Sequence, residues 1–171
     1  MAYNFLDPKV GVLQGPTASG TDKLHPLGMQ AAAYDSALGF ARFVYVCGSN
    51  VAAAGALVCY PGFTAKAMST ALSASRLPLG VAGAILTATS HYGWVQVDGK
   101  ATNCFGTNSA HAVGVNLYVG GNAGQIVSNT SLGNKIHGMF QYTSVASSSA
   151  ANSSLSVQMH NPQIFGLVAS I

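Results

Sequence analysis

Glutamate is absent from this chain, and aspartate occurs only four times in 171 residues. Carboxylate chemistry, such as the paired acids of a glycosidase, needs two such groups brought together. Asp7, Asp22, Asp35 and Asp98 stand far apart, and Asp98 precedes Gly99, where an aspartate serves a turn. Lysine and arginine are scarce too: Lys9, Lys23, Arg42, Lys66, Arg76, Lys100 and Lys135 are spread singly along the chain. They form no stripe for a phosphate backbone, so nucleic acid is not expected as a partner. After Lys135 no acidic or basic side chain follows as far as Ile171. Charged residues make up 6% of the chain, against about a quarter in ordinary soluble domains.

Long apolar runs are missing as well. A spanning helix needs about 20 consecutive apolar residues. The best window, Phe43 to Tyr60, is broken by Gly48, Ser49, Asn50 and Gly55, and the run Leu77 to Thr89 is too short. No membrane is expected. The first residues, Met1 to Pro8, lack a basic region followed by an apolar one, so no secretory signal is expected either. Three cysteines, Cys47, Cys59 and Cys104, are too few and too widely spaced for a disulfide framework or a CxxC zinc site. They read as buried thiols of a protein assembled in a reducing cytoplasm. The five histidines, His25, His91, His111, His137 and His160, show no HxH or HExxH spacing. The expectation is a protein that is not an enzyme and holds no metal or cofactor.

What is present is the signature of β structure. Strand-forming runs occur at Ala41–Cys47, Ala56–Tyr60, Leu79–Thr87, His91–Val97, Lys100–Cys104, Gly114–Val119, Ile136–Tyr142, Leu155–Met159 and Ile164–Ala169. Asp98-Gly99 predicts a type I′ hairpin turn, and Gly120–Gly124 a second turn. Ala41–Cys47 and Ala56–Tyr60 are expected to pair with each other. Asn161-Pro162 is expected to end the strand at Leu155–Met159. Gln30–Leu38 reads as a helical turn or a strand, and Ala67–Ser75 as a short helix or a returning strand. Ser144–Ser154 is a Ser/Ala/Asn loop. Around the only tryptophan, Tyr92, Trp94 and Gln96 alternate with Gly93, Val95 and Val97, so the two sets face opposite sides. The fold class is all-β: a compact antiparallel β-barrel or sandwich spanning 29–171, preceded by an extended N-terminal arm over 1–28 that holds Pro8, Pro16 and Pro26.

So little charge implies a surface covered in an assembly. Tyr3, Phe5, Val10, Val12 and Leu13 on the arm, with Tyr92 and Trp94 on the hairpin, are the expected interface residues, Trp94 facing either a second layer or a neighbouring subunit.

The chain resembles the small β-rich capsid decoration, or cement, proteins of tailed bacteriophages. The resemblance rests on His25-Pro26-Leu27-Gly28, on Phe43-Val44-Tyr45 and Leu57-Val58, on Leu79-Gly80-Val81-Ala82, and on Tyr92 to Ala101, followed by Leu117-Tyr118-Val119 and Ala123-Gly124-Gln125. It implies a β-barrel-like body on the outer face of a capsid, assembled in the host cytoplasm. The implied partners are the major capsid protein and other copies of the chain, as a homotrimer. Two other readings stand beside it: a fibre or spike module that binds a receptor through exposed Tyr, Trp and Asn, and a small hydrolase using Cys104 or His91.

Overall fold

The computed structural model describes residues 3–7, 13–70, 77–106, 112–128, 134–143 and 153–164. The protein is all-β. Among the described residues twelve strands follow in order: β1 (Asn4–Phe5), β2 (Ser19–Gly20), β3 (Gln30–Asp35), β4 (Gly39–Ser49), β5 (Leu57–Cys59), β6 (Thr64–Ala67), β7 (Leu77–Ala82), β8 (Tyr92–Gly106), β9 (Asn116–Val119), β10 (Ile126–Val127), β11 (Lys135–Gln141) and β12 (Ser153–Ile164). Of Gln30–Leu38, Gln30–Asp35 is strand: β3 turns back into β4 through residues 36–38, and the Asp35 carboxylate accepts from the amides of Ala37 and Leu38 in the turn.

The strands close into two rings that share β8. In the first ring the hydrogen-bonded circuit is β4–β6–β5–β7–β8 and back to β4. In the second it is β8–β12–β11–β9–β10 and back to β8. Two pairings, β4–β6 and β8–β10, are parallel; the others in the rings are antiparallel. β8 serves both rings because it is 15 residues long. Its first half, Tyr92–Asp98, lies against β4, and its second half, Asp98–Gly106, against β12.

Three apolar layers follow from this path. Val44, Val46, Val58, Ala65, Ala82, Val95 and Val97, drawn from all five strands of the first ring, fill its interior. Leu117, Ile126, Ile136, Leu155 and Met159 of the second ring pack with Leu57, Cys59, Leu79 and Val81, the other face of β5 and β7. Phe43, Tyr45 and Trp94, the other face of β4 and β8, meet Tyr3, Phe5, Ala31 and Ala33. Covering both faces of a strand removes the need for polar alternation and explains runs such as Phe43–Val46. Each large side chain fully buried this way contributes about 1.5–3 kcal/mol.

Several expectations are corrected. Asp98-Gly99 does not reverse the chain: only Gly99 takes a positive φ, at 90°, whereas a type I′ turn needs two such residues. Instead β8 bends there and passes from β4 to β12. Asn161-Pro162 likewise does not end β12. Asn161 takes φ 44°, and the strand passes from β8 to β7 across the proline, which has no amide hydrogen to donate. β4 and β5 do not pair; β6 lies between them. The expected strand beyond Ile164, residues 144–152 of the expected loop Ser144–Ser154 and most of Ala67–Ser75 fall outside the described residues, while Ser153 and Ser154 belong to β12 rather than to a loop.

Candidate functional site

The expected interface residues do not share one surface. Tyr3, Phe5 and Trp94 lie in the chain's own core, at 4%, 9% and 0% exposure. Tyr3 and Phe5 are therefore corrected from surface anchors to core residues, and Trp94 faces a second layer of its own chain, built from Tyr3, Phe5, Ala31 and Ala33, rather than a neighbouring subunit. The Phe5 ring lies 4.7 Å from the Trp94 indole and 5.6 Å from Phe43, and the Tyr3 hydroxyl donates to the Lys100 carbonyl at 2.6 Å. Rings this large gain more by joining the exposed aromatic face of β4 and β8 than by facing water. Tyr92 is half-buried and stacks on Tyr45 at 6.4 Å. Leu13 is the one that faces solvent, at 54%. Val10 and Val12 fall outside the described residues.

Residues 13–28 form a strap across the start of β8 rather than a free arm. The Trp94 Nε1 donates to the Gln14 carbonyl at 3.1 Å, and the Gln14 side-chain amide donates to the Tyr92 carbonyl at 2.9 Å. Ser19–Gly20 pair with Tyr92–Gly93, and the Leu24 amide donates to the Tyr45 hydroxyl at 3.3 Å. His25 closes the box. It is buried, 5.0 Å from the Tyr45 ring and 5.3 Å from Trp94, and burial lowers its pKa from the ordinary value. At this end Leu13, Leu24 and Ile85 are 54%, 41% and 49% exposed, with the exposed Asp22 and Lys23 next to Leu24 in the chain. Ile85 and His91 line a depression of about 260 Å³ with Ser19, Gly20 and Thr21. We call this the strap end.

The far end of the β4–β8 ladder carries different chemistry. Register places Ala32, Arg42, Asp98 and His160 side by side across β3, β4, β8 and β12. The Arg42 guanidinium meets the Asp98 carboxylate at 3.3 Å, and a His160 ring nitrogen lies 3.7 Å from the other carboxylate oxygen. Arg42 also donates to the side-chain oxygen of Asn161. Beside this row, Tyr34 and Phe40 face each other across the β3–β4 hairpin with rings 5.0 Å apart. Phe40 is 70% exposed, the most exposed large apolar side chain among the described residues. Phe140 lies 6.0 Å from the His160 ring, and Lys100 sits over the Tyr142 ring at 4.2 Å. Six residue steps along β8 separate Tyr92 from Asp98, so the two ends stand roughly 20 Å apart.

Sequence reasoning missed the far end because Asp98 reads as a turn residue. The available signal was that Arg42 and Asp98, two of very few charges, both adjoin strand-forming runs.

The cysteines resolve as free thiols, with Cys59 and Cys104 buried and Cys47 half-buried. Burial raises both buried thiols, Cys104 to about 12, so at neutral pH neither is the thiolate that nucleophilic attack requires. His111 falls outside the described residues. Among the described residues, no three of the His, Cys and Asp side chains gather as a metal-binding group. No helix among them is long and apolar enough to cross a membrane. Compared with known proteins, the chain matches no family model, no curated protein and no solved structure.

Proposed function

We propose that this protein is a structural virion component that binds the outer surface of a phage capsid and stabilises it. The observation that carries the reading is the strap end. Leu13, Leu24 and Ile85 stand open to solvent there, and the only charged side chains of the described strap are Asp22 and Lys23. The strap beneath them is fixed to the core through Trp94 and Tyr45, so the apolar surface is presented on a rigid body and little ordering entropy is lost on docking. Many identical copies, each weakly bound, reinforce a shell by avidity. The partners are the major capsid protein and further copies of the chain, arranged as a homotrimer.

Removing residues 1–28 is a poor test, because it would strip Tyr3, Phe5, Gln14 and His25 from the core. The better variant replaces Leu13, Leu24 and Ile85 with serine, since all three side chains are exposed. Wild type and variant are mixed with heads built from the cognate major capsid protein, and bound copies are counted after sedimentation. Occupancy should drop at least roughly tenfold in the variant. Equal occupancy, or no binding by the wild type, overturns the reading.

A further inference from the structure

We propose that the far end of the β4–β8 ladder is a binding site for a neutral sugar ring, seated on Phe40 and held by Arg42 and Asp98. Three observations converge there. The first is the aromatic platform. Phe40 and Tyr34 occupy directly opposed positions of the β3–β4 hairpin and touch at 5.0 Å and 55°, so each ring limits the other's rotation. Phe40 nonetheless keeps 70% of its surface open. An immobilised aromatic face with its negative quadrupole attracts the polarised C–H face of a pyranose.

The second is the electrostatic balance of the polar row. Arg42 and Asp98 neutralise one another, so an anionic or cationic ligand would have to break their pair. A neutral polyol needs no such break. The guanidinium has five N–H donors, and its contacts to Asp98 and Asn161 both run through one terminal nitrogen. The carboxylate keeps acceptor capacity beyond Arg42. Planar groups of this kind engage two neighbouring hydroxyls at once.

The third is shape. Phe40, Arg42 and Asp98 line a shallow depression of about 270 Å³ whose remaining walls are Ala32 and Ala41. That size suits one sugar ring rather than a larger ligand. Alanine at position 32, in register with Arg42, keeps the floor low. The residues stand on three adjoining strands, so the platform and the polar row are preorganised.

The site lies roughly 20 Å from the strap end, and its test needs no capsid, so it stands or falls apart from the proposed function. Purified full-length protein is screened on an array of neutral and acidic glycans. Hits are then titrated by saturation-transfer NMR with methyl hexosides and N-acetylglucosamine oligomers. Neutral glycans should bind. Phe40→Ala and Asp98→Asn should each weaken binding at least roughly tenfold while retaining the wild-type circular dichroism spectrum. Arg42→Lys, which keeps the charge and loses the planar fork, should weaken it as well. Absence of any neutral-glycan binding up to about 10 mM overturns the proposal. So does binding restricted to acidic glycans, or neutral-glycan binding that Phe40→Ala leaves unchanged.

Discussion

The indole nitrogen of Trp94 donates to the backbone carbonyl of Gln14, 3.1 Å away and 80 residues earlier in the chain. That bond ties the strap to the strand shared by both rings. Trp94 is fully buried, and its ring packs against Phe5, Tyr45 and His25. The N-terminal stretch is thus part of the fold it was expected to extend from.

Replacing Trp94 with phenylalanine removes the bond and part of the ring. The Gln14 carbonyl loses its donor, and a gap opens beneath the strap. The expected cost is about 1–3 kcal/mol, read as a lower urea midpoint by far-UV circular dichroism. An unchanged midpoint would mean that the strap gains nothing from the indole.

Gly99 and Gly39 make a matched pair. Both take a positive φ, 90° and 82°. A Cβ at Gly99 would lie 2.4 Å from the Phe40 carbonyl oxygen, whereas one at Gly39 meets nothing within 4 Å. Gly39→Ala should therefore cost only the left-handed penalty, about 1–2 kcal/mol. Gly99→Ala adds a backbone clash at the corner where β8 changes rings and should cost several kcal/mol more than Gly39→Ala, roughly the range of severe core lesions. Thermal melts of the two variants side by side decide it; equal losses would remove Gly99 from its role at the corner.

Stability should fall at both ends of the pH scale, for opposite reasons. Burial lowers the His25 pKa below 6.5, and its Nε2 has no hydrogen-bond partner among the described residues. Between that lowered value and 6.5 the unfolded chain binds more protons than the native one. The contribution is fully present above pH 6.5 and is lost as pH falls through that window. His25→Phe should flatten this acid limb. In alkali the sign reverses. Burial raises Tyr3 from 10 to about 12, with the Asp35 charge adding to it, and raises Cys104 from 9 to about 12. The native chain then holds the extra protons, so stability is intact below pH 9 and declines as pH rises to about 12. Tyr3→Phe should remove the tyrosine's share while sacrificing one hydrogen bond, about 1 kcal/mol at neutral pH. Urea midpoints measured from pH 5 to 12 would show both limbs, and a flat acid limb in the wild type would contradict the burial of His25.

Much of the architecture is legible before any coordinates. The opposed facing of Trp94 against Val95 and Val97 is as the alternation dictates, because side-chain direction along a strand has a period of two. The β9–β10 hairpin forms around Gly120–Gly124, where Gly124 supplies the positive φ its turn needs. Among the misread places are two dipeptides with strong turn chemistry, Asp98-Gly99 and Asn161-Pro162. Local preference there marks a bend in the backbone. Whether a bend reverses the strand or hands it to a new neighbour depends on which strand waits on the other side.

Composition and periodicity alone determined an all-β body poor in charge, with strands whose two sides are both apolar. They determined it because burial and backbone geometry act on each residue locally. Only the tertiary structure decided that β8 closes two rings, that Tyr3 and Phe5 turn inward, and that Arg42, Asp98 and His160 meet. Those outcomes depend on contacts between distant segments, such as the pairings of β8 with β4 and β12, whose partners lie 45 to 62 residues apart, and no local preference encodes which distant partner completes a hydrogen-bonded edge.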